Sequence, residues 1–108
     1  MTWTHCPQGH VIGATGLYLK ASDVAKLGEV YRNNGMYNGQ RIVSEDWVSL
    51  VIGRGYELNQ LGFTPGYGKS GMLGQQIAVL TDLNITVAWT GNDFYQGEEI
   101  IEIIKENL

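Results

Sequence analysis

Apolar residues recur at helical spacing in three segments of the chain, each framed by residues that favour helix boundaries. Ser22-Asp23 is predicted to cap the first helix, and Asn34-Gly35 to end it. Ser44 is predicted to cap the second, which Gly53 ends, and the third runs from Glu98 to Leu108. The apolar positions of the three helices are Val24, Leu27, Val30 and Tyr31; Trp47, Val48, Val51 and Ile52; and Ile100, Ile101, Ile103, Ile104 and Leu108.

The second half of the chain changes to a period of two, which predicts strands. Segments 76–81 and 85–90 are predicted to form a hairpin across Asp82-Leu83-Asn84. Residues 56–64 and the glycine-rich segment 66–73 are predicted to be extended as well. The core is expected to include the three tryptophans Trp3, Trp47 and Trp89.

Helices followed by an antiparallel meander and a terminal helix make an α+β fold. We expect one domain over residues 1–108, with 1–55 mainly helical and 56–108 holding about three antiparallel strands and the C-terminal helix. Residues 1–16 carry several chain breakers and are expected to be irregular, and Asn38-Gly39 predicts a tight turn. A sheet of about three strands leaves one face and one edge uncovered. We therefore expect the chain to be part of a larger architecture and to self-associate through the exposed sheet surface.

Charge and composition exclude several classes of function. The net charge is -4 and the seven Lys and Arg residues are scattered, which argues against a nucleic-acid partner. No apolar stretch approaches the roughly 20 residues that span a bilayer, and the start of the chain lacks the pattern of a signal peptide. Cys6 has no second cysteine to pair with, and with His5 and His10 it specifies a metal site poorly. We expect no membrane segment, metal or cofactor.

Two blocks of the chain carry a family resemblance. The first runs from Gly16 to Val48 and includes the string Ser22-Asp23-Val24-Ala25-Lys26. The second, residues 67–92, holds Lys69-Ser70-Gly71 and the predicted hairpin. In this order and spacing the blocks resemble the C-terminal part of the β-lactamase-related serine hydrolases, which include class C β-lactamases, penicillin-binding DD-peptidases and esterases.

This resemblance implies roles for four residues at the family's Lys-Thr/Ser-Gly box. Lys69 and Ser70 are the candidate catalytic residues. The Lys69 ammonium biases nearby proton transfers and attracts the substrate's carboxylate, and the Ser70 hydroxyl hydrogen-bonds that carboxylate. Gly71 and Met72 are the candidate substrate-binding residues. The glycine lets an acyl-amide approach as an added strand, and the backbone N–H of Met72 contributes to an oxyanion hole. Without its flanks, the tripeptide is more typical of a solvated strand lysine beside a turn.

The other two boxes of the family are missing. Its nucleophile box, Ser-x-x-Lys, does not occur, because Ser22 and Lys26 are one residue too far apart. Tyr31-Arg32-Asn33 matches the second box by letters, but it falls in the predicted first helix, which turns Tyr31 inward and Asn33 away. The resemblance therefore implies acyl transfer through a serine upstream of this chain, and a chain that hydrolyses nothing alone.

Two alternatives stay open beside the hydrolase segment. One is a non-enzymatic module that binds a carboxylate or a peptide through Lys69 and Ser70, and the other is a structural remnant of the fold. The substrate of the parent protein, whether β-lactam, peptide or ester, is not set by these residues. Members of the family usually work in the periplasm, at the cell envelope or outside the cell.

Overall fold

The computed structural model describes residues 1–13, 15–55, 58–71, 74–91 and 97–108. Within these ranges lie three helices: α1, Ala21–Arg32; α2, Glu45–Arg54; and α3, Gly97–Glu106. None of the helices in the described ranges is long and apolar enough to cross a membrane.

The start of α2 follows its sequence closely. The Ser44 hydroxyl accepts a hydrogen bond from the backbone N–H of Trp47 at 3.1 Å, as expected of an N-cap. The helix runs past Gly53 and ends at Gly55, whose φ of 64° is in the left-handed region. The prediction that Gly53 ends this helix is therefore wrong by two residues.

The start of α1 differs from its prediction, whereas its end agrees. The helix begins at Ala21, after an extended Lys20 that supplies no side-chain cap. Ser22-Asp23 consequently lies inside the first turn and is not the cap. The helix ends just before Asn34 and Gly35, which have φ angles of 54° and 91° and turn the chain away as predicted.

The first 16 residues are more regular than expected. Strand β1, Thr2–Trp3, pairs antiparallel with β2, Leu17–Tyr18. The Trp3 indole N–H donates to the carbonyl oxygens of Ile12 and Thr15, at 2.8 and 3.1 Å, and so holds the intervening loop. This pairing joins residues distant in sequence, which breaker residues alone do not predict.

The Asn38-Gly39 turn is confirmed. It joins β3, Met36–Tyr37, to β4, Gln40–Arg41, in an antiparallel pair. Both turn residues have positive φ, 48° and 76°, as a type I′ hairpin requires.

The main sheet is antiparallel with the strand order β5-β6-β7-β8, which confirms the α+β class and the hairpin across residues 82–84. Its strands are β5, Asn59–Gln60; β6, Gly66–Ser70; β7, Gln76–Leu80; and β8, Ile85–Trp89. The sheet thus has four strands where about three were expected, and β5 is far shorter than the predicted segment 56–64. Residues 56–57 and 72–73 of the predicted extended segments lie outside the described ranges.

The strand register divides the sheet into two apolar faces. On one face, Tyr67, Ile77 and Val79 form a buried cluster with Val51 of α2 and with Leu58. Burial raises the pKa of the Tyr67 phenol, which marks it as a core group. Helix α1 packs on this same face, against β7 and β8.

The opposite face packs against α3. Ala78 and Leu80 are fully buried there with Ile101 of the helix. The predicted stripe of α3 is too wide, because Ile103 is 59% and Leu108 70% exposed. Only part of the apolar surface of this helix therefore meets the sheet.

Two of the three tryptophans expected in the core are exposed. Trp47 is 45% exposed and donates its indole N–H to the Tyr31 hydroxyl at 3.3 Å, which links α2 to α1. Trp3 is also exposed. Trp89 is half-buried under the start of α3, where a Cβ on Gly97 would lie 3.2 Å from its Cζ2.

Helix α1 approaches the sheet closely at Gly28. A Cβ at this buried position would clash with Cγ2 of Thr86 and lie 3.0 Å from Cδ1 of Ile77. Both obstacles are β-branched side chains, which have few alternative rotamers. The helix therefore rests directly on the sheet, and a larger residue would have to push the two apart.

The turn between β7 and β8 is held from both faces of the sheet. The Arg32 guanidinium donates to the backbone and side-chain oxygens of Asn84, at 3.2 and 2.8 Å, and to the Glu29 carboxylate at 2.6 Å. The hydrogen bonds from Arg32 lower the pKa of Glu29, although partial burial opposes this effect. From α3, the Lys105 ammonium lies 3.5 Å from an Asp82 carboxylate oxygen.

The contact at Gly28 can be tested with two matched substitutions. We expect Gly28→Ala to lower the free energy of unfolding by about 1–2 kcal/mol, because the overpacking cost exceeds the gain in helix propensity. Gly53→Ala is the control: it lies in α2 with nothing within 4 Å of its Cβ position, and it should stabilise by about 0.5–1 kcal/mol. Urea unfolding followed by circular dichroism measures both, and equal effects would contradict the close packing.

The Glu29–Arg32 pair predicts a dependence of stability on pH. Because the folded pKa of Glu29 is below its ordinary value of 4.5, its contribution is complete above that value and is lost as pH falls through the folded pKa. We expect Arg32→Met to lower the free energy of unfolding at pH 7 by about 1.5 kcal/mol, and by less at pH 3. Lys26→Met, which breaks the exposed pair with Asp23, is the control and should leave both values unchanged. A loss that is the same at both pH values would rule out the Glu29 pair as its cause.

Candidate functional site

The Lys-Ser-Gly sequence lies at the end of β6, and the strand places its first two side chains on opposite faces of the sheet. Lys69 pairs with Ile77, on the face covered by α1, whereas Ser70 pairs with Gln76, on the face covered by α3. Successive side chains of a strand alternate between faces. The lysine and the serine therefore do not form one cradle on a single face.

The backbone of Ser70 faces the β5 side of the sheet. On that side, the carbonyl oxygen of Gly66 accepts a hydrogen bond from the N–H of Leu61 at 3.0 Å. The N–H of Gly71 points the other way, towards the β7 side, and donates to the carbonyl oxygen of Gln75 at 2.7 Å. By the alternation of an antiparallel strand, the N–H and C=O of Ser70 point as those of Gly66 do. Among the described residues, the pairing with β5 stops at Gly68, one step short of Lys69.

The Lys69 side chain is exposed, and its ammonium makes no hydrogen bond or ion pair with any described residue. None of the described residues therefore neutralises its charge at the end of the strand. Met72, which was expected to supply an oxyanion-hole N–H, lies outside the described residues.

Ser70 lines a cavity of about 360 Å³ on the α3 side of the sheet. Gln76 borders the same cavity, as does Glu98 in the first turn of α3. The Ser70 hydroxyl makes no hydrogen bond to a described residue, so no described base activates it as a nucleophile.

Gly71 lines a second and larger cleft, of about 1060 Å³, between the β1–β2 hairpin and the end of the main sheet. The walls of this cleft include Trp3, Tyr18 and Trp89. A Cβ on Gly71 would lie 2.7 Å from the side-chain oxygen of Gln75, so the glycine admits a close neighbour here. The three residues of the box thus face three different surroundings: exposed surface, small cavity and large cleft.

The Tyr31-Arg32-Asn33 sequence lies in a helix, as predicted. Tyr31 packs against the buried cluster below α1, and the exposed Asn33 is the C-terminal cap of the helix. Their side chains do not meet at the site of Lys69 and Ser70.

No group of three or more His, Cys, Asp and Glu side chains that could hold a metal ion occurs in the described ranges. The candidates His5, Cys6 and His10 all fall within those ranges. In the structure, His5 and Val11 form an isolated antiparallel bridge.

The residues around the small cavity were not foreseen from the sequence. Asn59, Gln60, Phe63 and Gln76 come from two separate stretches of the chain, and no motif connects them. A signal was nevertheless present, because Asn59-Gln60 places two adjacent polar side chains in a segment predicted to be a strand.

The chain matches no protein-family model, and no curated protein aligns with it at a significant score.

Proposed function

We propose that this chain is the C-terminal segment of a serine hydrolase of the β-lactamase-related class and forms one wall of its active site. The observation that carries the proposal is Lys69-Ser70-Gly71 at the end of an antiparallel strand, next to the short edge strand β5. The acylated serine belongs upstream of the chain, because Ser-x-x-Lys is missing from its sequence. Acyl transfer then requires both the upstream serine and the wall formed by this chain.

The geometry of β6 supports a role as a wall. The Ser70 backbone faces the β5 side beyond the last described pair, which is the direction from which an extended acyl-amide would add as a strand. The ammonium of Lys69, which has no partner among the described residues, lies one residue away and supplies positive charge for a substrate carboxylate. The Ser70 side chain lies on the other face of the sheet, so its hydroxyl and the Lys69 ammonium would contact different parts of a substrate.

The alternative is a module that binds a carboxylate or a peptide without catalysis. The exposed ammonium of Lys69 favours it as well, because binding a carboxylate requires no nucleophile. The coding sequence upstream of residue 1 separates the two: an in-frame Ser-x-x-Lys supports the hydrolase segment, whereas a start codon with no such box supports the binding module.

Benzylpenicillin is the probe for the proposed wall. We expect intact-protein mass spectrometry to show no covalent adduct, because the chain has no activated serine. In a ¹⁵N-resolved NMR titration, the amide signals of residues 69–71 should shift, and Lys69→Ala should abolish the shift. Lys26→Ala removes the same charge from the surface of α1 and is the matched control. An adduct would place a nucleophile within this chain, and unshifted signals at residues 69–71 would reject binding by this strand.

Exposed apolar surface around the large cleft predicts self-association. Leu17 and Tyr18 are 40% and 67% exposed, and such surface is costly to leave in water. We expect the mass measured by light scattering to rise above that of a monomer with concentration, and Tyr18→Ser to reverse this rise. Leu108→Ser removes a similarly exposed side chain outside the cleft and should have no effect. A monomer at all concentrations would contradict the prediction.

A further inference from the structure

The small cavity beside Ser70 has the walls of a binding site. Strands β6 and β7 form its floor, β5 and residues 61–63 form one side, and the first residues of α3 form the other. Its volume of about 360 Å³ falls at the lower end of the range of small-molecule sites, roughly 300–1,000 Å³. The cavity can therefore hold a ligand of one or two rings.

Unused neutral polar groups surround this space. Asn59, Ser70 and Gln76 line it, and the first two make no side-chain hydrogen bond to the described part of the chain. Gln60 also borders the space, but it pairs with Tyr67 and so directs its side chain to the other face of the sheet. Each amide offers two donors and an acceptor, and the hydroxyl offers both kinds of group. The cavity thus presents donors and acceptors together.

The floor is open because Gly68 has no side chain. The Gln76 amide lies across it, with Nε2 3.3 Å from the position that a Cβ on Gly68 would take. Within the described residues this amide makes one long hydrogen bond, 3.5 Å to the carbonyl of Ile77. Most of its hydrogen-bonding capacity is therefore directed at the cavity.

Charge decides which ligands the cavity favours. The described residues that line it include no Lys or Arg, and the charged residue among them is Glu98. Glu99 adds a second negative charge in the same turn of α3. An anion would be repelled here, and exposed carboxylates in water hold a cation weakly. The lining therefore favours a neutral ligand.

An exposed aromatic ring completes the site. Phe63 is 41% exposed and lines the same cavity. A ring offers an apolar surface of fixed shape, on which the C–H face of a sugar can pack. The side-chain amides can hydrogen-bond the hydroxyls of the same sugar.

We propose that this cavity binds a neutral saccharide of one or two rings. The site shares Ser70 with the proposed hydrolase wall but needs neither Lys69 nor an acylated serine, so sugar binding can be tested separately from the hydrolase proposal.

Glucose, maltose and cellobiose are the probes, titrated into the ¹⁵N-labelled chain and followed by NMR. At least one should shift the signals of Gly68, Ser70 and Gln76 in a saturable manner. Gln76→Leu keeps the size of the side chain but removes its amide, and Phe63→Ala removes the ring; each should weaken binding at least tenfold. Gln40→Leu, at an exposed position of β4, is the matched control and should bind as the unmodified chain does.

Three results would overturn the proposal. The first is the lack of any saturable shift with all three sugars. The second is unchanged sugar affinity in both Gln76→Leu and Phe63→Ala, with circular dichroism showing that the variants are folded. The third is saturation of the same signals by acetate or phosphate, which would identify an anion site. If Gln76→Leu does not fold, Phe63→Ala decides alone, because Phe63 belongs to neither of the two buried clusters.

Discussion

The structure depends on the direct contact of α1 with the main sheet at Gly28. With no side chain between them, the helix backbone rests on Ile77 and Thr86, and one turn later Arg32 reaches the loop at Asn84. This crossing covers the face of the sheet that carries Tyr67, and α2 completes the cover. Lys69 shares that face but is exposed, so its charge stays in water.

Local features of the sequence predicted local structure well. The cap at Ser44, the Asn38-Gly39 turn and the hairpin of residues 76–90 are each determined by neighbours along the chain. One failure involves a distant partner, because the Trp3 strand pairs across the loop with Leu17. Another is the start of α1, which begins at Ala21 without a side-chain cap. The sequence also assigned Ile103 to the core, although it is exposed. A periodic pattern shows which side of a helix is apolar, but not how much of that side is covered by the rest of the protein.

The candidate site was predictable in position but not in geometry. The place of Lys69 and Ser70 on an extended segment followed from the sequence, and the period of two already implies opposite faces. The expectation that Lys69 and Ser70 bind the same carboxylate came from the family resemblance. The resemblance assigns roles from the sequence motif alone and does not consider which face of the sheet each side chain occupies. The cavity beside Ser70 could not be foreseen, because residues 59–63, the strand pair and the start of α3 meet only in the folded chain.

The link between Arg32 and Asn84 spans 52 residues, and this separation has a consequence for the order of folding. Strands β6, β7 and β8 are consecutive along the chain, so their pairing closes short loops, whereas docking α1 must close a long one at a higher entropic cost. We therefore expect the meander and α3 to form first and α1 to dock later through Gly28. On this order the two faces of the Lys-Ser-Gly strand are assembled at different times, the serine side before the lysine side.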